Sequence, residues 1–361
     1  MAVKISSKEL KYGILRQSPD ASVATAFKAA GSTANKWTNP AAADQNFRTL
    51  FYNKGVPIPD PAVTINEYGV SSQLGLNHEL TQFFVDARSG LPKLNFSGPA
   101  DLRTLAPHLV GALQAVTEGA GSPYQKSIYS GFTAGGIDFA AGGGYLHSLA
   151  INQKASADDG IILENAIIDN ISLTFDFIGK GIARLGNISG TWVGNEMNFE
   201  QTLSGTWVSA TLTPFNNADT MYFNTFTVDS VDWKALCIRR VVVSINNNVT
   251  SNCSTTAGKP NQYDVTPEIT WNVILDHNST TEKLMGDFLA GAAVDLHLIN
   301  AASIGTEDGE LQIDSPNCRI MSPPQIYNGD FLGYSIQCRA YQSSTASPLT
   351  VTLSDTLDWG Y

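Results

Sequence analysis

Residues 145–194 read YLHSLAINQKASADDGIILENAIIDNISLTFDFIGKGIARLGNISGTWVG, a run of short apolar-alternating segments broken by Gly, Asn and Asp. Within IIDNISLTF, period-two alternation places Ile167, Ile171, Leu173 and Phe175 on one face and Asn170, Ser172 and Thr174 on the other. One face is dry and the other wet, as in a half-buried strand. The wet face is rich in Asn, Ser and Thr and poor in titratable groups, which suits a surface, a lumen or a partner better than a reaction centre.

Strand signals continue on both sides of this stretch. Upstream, LPKLNFSG reads as a strand, with Ser97 as the N-cap of a following helix. Leu102, Leu105, Leu109, Leu113 and Val116 then recur at helical spacing up to GAGS, predicting a helix over 98–118. Downstream come GTWVSATLTPF, MYFNTFTVDSVDW, IRRVVVSIN and EITWNVILDH, the last with Ile269, Trp271, Val273 and Leu275 on one face. Ser279 and Glu282 form a capping box for a second helix over 280–290, through Leu284, Phe288 and Leu289. Then VDLHLI, GELQIDS, NCRIM, FLGYSIQCRAY and LTVTLSD follow at close spacing between turn residues. Strand followed by helix thus occurs twice, as a weak duplication or as coincidence.

The expected fold is mainly β: an antiparallel sandwich or partly closed barrel with one or two flanking helices. Residues 66–361 form this body. Residues 1–65 are predicted to be an extended arm packed on a neighbouring subunit, because Pro57, Pro59 and Pro61 alternate and exclude an internal helix. Deleting residues 1–35 is then expected to leave a folded body that stacks poorly.

Composition narrows the function classes. Charged residues make up only 15% of the 361, well below the roughly 25% of ordinary soluble domains. The net charge of −11 argues against a general phosphate-binding face. The amino terminus, MAVKISSKELKYG, lacks a secretory pattern, and no stretch is long enough to span a bilayer, so a soluble chain made in the cytoplasm is expected. In that compartment the four cysteines, Cys237, Cys253, Cys318 and Cys338, are expected as buried free thiols, with a Cys318–Cys338 bridge as the alternative. The sequons at Asn187, Asn248, Asn252 and Asn278 follow from an Asn/Ser/Thr-rich composition.

Catalytic signatures are lacking. There is no GxSxG, HExxH or GxxxxGK[ST], and Gly142–Gly144 lacks a following Lys. His78, His108, His147, His277 and His297 lie at no ligand spacing; His297 reads as a surface or interface residue and His108 as a helix-boundary residue. Asp158 with Asp159, and Glu307 with Asp308, occupy Gly-flanked turns. No catalytic, cofactor-binding or metal-binding residue is assigned, and no cofactor is expected. Trp192, Trp207, Trp233 and Trp359 leave one alternative, a carbohydrate-binding β-sandwich module of a phage or surface protein, against which stands their reading as core aromatics.

The segment DNISLTFDFIGKGIARLGNISGTWVG resembles the central region of tail tube proteins of tailed bacteriophages. GELQIDSPNCRIMSPPQIYNGDFLGYSIQCRAY is similar to that family's closing pattern, and LPKLNFSGPADLRTLAPHLVGAL resembles its strand-then-helix element. The resemblance spans most of residues 90–355; the Pro-containing arm and residues 253–264 depart from it. It implies a structural virion protein, not an enzyme, that assembles into stacked hexameric rings. Inner sheets of neighbours would join into a ring-wide barrel around the channel for DNA delivery, removing exposed strand edges. It also implies a place in the virion tail, built in the host cytoplasm. Partners would be further copies of the chain, a tape measure protein, a tail terminator and baseplate or tail-tip proteins, with DNA passing through unbound. A net-negative lumen is expected, with Asp169 and Asp176 as candidates and Glu310 and Asp314 as weaker ones.

Overall fold

The structure, a computed structural model, describes residues 10–16, 48–50, 52–53, 59–62, 64–70, 79–86, 90–100, 102–119, 124–131, 137–138, 145–153, 160–177, 186–201, 225–228, 231–232, 238–256, 259–276, 283–300, 309–328, 332–343 and 346–355. Its spine is the 17-residue strand Gly160–Asp176. The first half of this strand pairs with His147–Gln153 and Glu196–Gln201, the second half with Asn187–Val193 and Ile238–Asn246, all antiparallel.

The alternation read from IIDNISLTF holds from Ile171 onward: Ile171, Leu173 and Phe175 are buried, while Asn170, Ser172, Thr174 and Asp176 are half-exposed. It fails at Ile167. The register jumps from Ile168 opposite Trp192 to Asn170 opposite Thr191, leaving Asp169 as an extra residue. Such a bulge reverses the alternation behind it. Ile168 therefore shares the core with Ile171, and Ile167 packs in a second cluster with Ile137, Leu146, Val193 and Tyr263.

Two layers follow from the pairings. One runs Pro59–Asp60, Lys93–Pro99, Asn187–Val193, Gly160–Asp176, Ile238–Asn246, Glu268–Asp276 and Leu332–Ala340. The other runs Val231–Asp232, Thr225–Val228, Ala293–Ile299, Glu310–Ile320, Thr350–Asp355, Tyr124–Ser130 and Gln114–Glu118. The strand Glu310–Ile320 joins them, since Cys318, Arg319 and Ile320 pair with Cys338–Ala340. GELQIDS and NCRIM, read as separate strands, are one: Pro316 is accommodated where the register against Ala293–Ile299 shifts, a position that tolerates a missing N–H. The sheet is antiparallel, is not closed into a barrel, and is consistent with a β-sandwich. Ile171, Val243, Val273 and Ile336 of one layer share a single apolar cluster with Leu298, Ile313, Val351 and Ile128 of the other. Trp271 crosses between them, its Nε1 donating to Ser315 Oγ at 2.9 Å.

Helix α1, Leu102–Leu113, is buried without a break from Leu105 to Leu113. It ends earlier than its leucine stripe suggested. Gln114 takes φ 67°, a left-handed conformation that stops a helix, and its side chain holds Gly111 O and Tyr145 N, both at 2.8 Å. Val116 accordingly lies in a strand, and Ser97 lies in the strand before the helix rather than capping it. Helix α2, Lys283–Ala290, is largely exposed, so the two strand-then-helix units have different surroundings. Ser279 and Glu282 lie outside the described residues.

The amino-terminal region is not simply an arm. Leu10–Arg16 pairs with His147–Gln153, Arg48–Leu50 adds to it, and Ile14 and Leu50 are buried in the main core.

Candidate functional site

The outer face of the first layer spans seven strands. Register aligns Ser97, Ser189, Ser172, Ser244 and Thr270 in one row across five strands, ending at Arg339. At about 4.8 Å per strand the hydroxyls run for roughly 19 Å. A second row carries Asn95, Thr191, Asn170, Asn246 and Glu268, and a third Asn187, Thr174, Val242, Asn272 and Gln337. The rows bond within themselves: Ser172 Oγ lies 3.2 Å from Ser244 Oγ, and Thr191 Oγ1 donates to Asn95 Oδ1 at 2.8 Å.

Three arginines of this layer are each paired with a carboxylate, while Lys93, exposed in phase with Asn95 and Ser97, has no ion pair among the described residues. Arg240 Nε meets Asp176 Oδ1 at 3.1 Å, Arg339 Nη1 meets Glu268 Oε1 at 3.3 Å, and Arg239 grips Asp276 with two bonds of 2.9 and 3.1 Å. Half-exposed pairs like these contribute little to stability. Their larger effect is on potential, because each guanidinium reaches solvent beside its own carboxylate.

The four acidic candidates do not converge. Asp176 is the partner of Arg240. Asp169, at the bulge, accepts from Val249 N at 2.8 Å through its carboxylate and from Asn247 N at 2.7 Å through its carbonyl. Glu310 and Asp314 belong to the second layer, where Glu310 is buried and Asp314 holds His297 Nδ1 and Gln312 Nε2. Asp169 and Asp176 thus lie on a strand of the first layer, and Glu310 and Asp314 on a strand of the second. Sequence reasoning missed the arginine partners because pairing across strands depends on register, which the local pattern does not encode.

One end of the face is fixed by the loop after Ile238–Asn246. Asn247 is fully buried and donates from Nδ2 to Ala112 O at the end of α1 and to Ile168 O beside the bulge, both at 2.8 Å. Asn248 supports the turn with φ 47°. Beyond it, Thr250–Thr256 and Lys259–Asp264 form a small sheet with Ile137–Asp138, and Tyr263 packs against Ile167 and Val193. Burial drives the Tyr263 phenol pKa well above its usual value.

The other singled-out residues are structural where they are described. His108 is a core residue, not a boundary one: it lies between Phe96 and Trp192, with Nε2 2.9 Å from Tyr52 Oη. Burial raises the Tyr52 phenol pKa strongly. Trp192 is fully buried and presents no ring to a sugar. Cys318 and Cys338 are free and buried, and burial pushes both thiols up to about 12. Among the described residues, no three His, Cys, Asp or Glu side chains group to hold a metal, and no helix is long and apolar enough to cross a membrane. Outside the described residues lie His78, His277, Cys237, Trp207, Trp233, Trp359, Gly142–Gly144 and the turn acids at 158–159 and 307–308. No protein-family model matches the chain, and no curated protein matches it.

Proposed function

We propose that this chain is the structural subunit of a self-assembling hollow tube, the tail tube of a tailed bacteriophage. The observation that carries the reading is the broad outer face of the first layer, where hydroxyl and amide rows surround arginines each paired with a carboxylate. Polyanion affinity comes from unpaired Lys and Arg releasing counterions. A wall whose arginines are already neutralised, in a chain of net charge −11, lets a DNA backbone slide with little sticking. The resemblance of residues 90–355 to tail tube proteins supplies the assembly: hexameric rings, inner sheets joined into one barrel, and rings stacked in the virion tail on a tape measure protein between terminator and baseplate or tail tip. Closure would also protect strand edges. The test is a concentration series by mass photometry of the purified chain, alone and with tail-initiating components. Ring-sized species support the proposal; a monomer under every condition removes it.

A further inference from the structure

Unpaired charges lie at both edges of the first layer. At one edge, Asp60 and Lys93 stand opposite each other on neighbouring strands. Both are exposed, and neither makes an ion pair among the described residues. Asp60 Oδ1 accepts from Ala62 N at 2.9 Å. Pro59 and Pro61, both half-buried, flank Asp60. Pro59 has no N–H to donate, so this edge is a poor template for a further strand.

At the other edge, the register that sets Arg339 opposite Arg319 continues to Ala293, just after α2. Arg319 is exposed and donates from Nη1 to Gly291 O, and Asp287 of α2 is half-exposed. Neither makes an ion pair among the described residues. Met285 and Leu289 stand one turn apart on α2, 39% and 76% exposed. Exposed apolar side chains rimmed by charge mark an interaction surface.

We propose that the Asp60 edge of one copy docks on the α2 edge of a second copy. Asp60 meets Arg319, Lys93 meets Asp287, and Pro59 and Pro61 cover Met285 and Leu289. Each edge offers one cation and one carboxylate, so the right arrangement joins opposite signs and the reversed one sets like signs together. The two surfaces differ, so the contact repeats head to tail and either closes a ring or extends. Proline at the seam makes this a side-chain contact and not a ladder of backbone bonds. The contact rests on the self-assembly reading above, to which it assigns a seam.

Sedimentation velocity of the full chain over a concentration series tests the seam by charge reversal. Asp60→Arg alone and Arg319→Glu alone are each expected to keep the thermal unfolding transition and to need at least about tenfold more protein for association. Mixed in equal amounts, the two variants are expected to associate like the wild type, because every seam of an alternating assembly again joins opposite charges. If either variant loses its unfolding transition, Lys93→Glu and Asp287→Lys supply the same pair of tests at the second contact. A single variant that associates like the wild type, or a mixture no better than its components, overturns the seam and leaves the tube reading standing. Wild-type protein that stays monomeric throughout overturns both.

Discussion

Gly111 of α1 faces the indole of Trp192 so closely that a β-carbon on it would sit 2.5 Å from Trp192 Cη2. Trp192 is fully buried and packed between His108 and His147, with ring centroids at 5.7 and 5.4 Å, so it has nowhere to retreat. Two effects oppose each other in Gly111→Ala. Helix propensity favours alanine by about 1 kcal/mol, while overpacking costs about 1–3 kcal/mol. The clash is expected to win, lowering stability in urea unfolding. Gly286 of α2 has open space around its α-carbon, and Gly286→Ala is expected to raise stability.

Asn247 ties α1 to the bulged strand through two donated bonds of 2.8 Å. Asn247→Ala leaves Ala112 O and Ile168 O without those donors in a buried place. The expected cost is about 3 kcal/mol. Hydrogen exchange is expected to rise at Asn170 and its ladder neighbours before the far strands; a uniform rise would detach Asn247 from the bulge.

Cys318 and Cys338 hold their protons to about 12, against an ordinary value of 9.0. Between those values the folded chain binds more protons than the unfolded one, so stability is full below pH 9 and falls as pH rises toward 12. Cys318→Val is expected to flatten part of that fall in urea midpoints. Peptide mapping after alkylation at pH 8 is expected to find both thiols unmodified until the chain unfolds.

Removing residues 1–16 tests the amino-terminal segment. The sequence reading expects the loss of residues 1–35 to leave a folded body that stacks poorly. Yet Ile14 is fully buried and Leu10–Arg16 forms a ladder with His147–Gln153. Burial of one Ile is alone worth about 2–3 kcal/mol. Truncation is therefore expected to lower the melting temperature of the isolated chain, whether or not it assembles.

Period-two alternation made Ile171, Leu173 and Phe175 legible as core, and likewise Ile269, Trp271, Val273 and Leu275, because each lies on a strand with one dry face. It misplaced Ile167 because a single bulged residue, Asp169, inverts the phase, and nothing in IIDNISLTF marks the extra residue. The leucine stripe found α1 but ran past its end, since the stop is a left-handed Gln114 where glycine would have been the signal. On the candidate face, the hydroxyls of Ser172 and Thr174 were visible along one strand. The row from Ser97 to Thr270 and the Asp176–Arg240 pair depend on how strands align whose paired residues lie from 17 to 92 positions apart, which local pattern does not carry.

The most direct measurement is electron microscopy of the concentrated, purified chain, followed by a map of whatever forms. The expected result is hollow rings or tubes whose inner wall is built of strands, with arginines that reach it paired to carboxylates. Monomers alone, a wall made of helices, or a lumen dominated by unpaired Lys and Arg would contradict it.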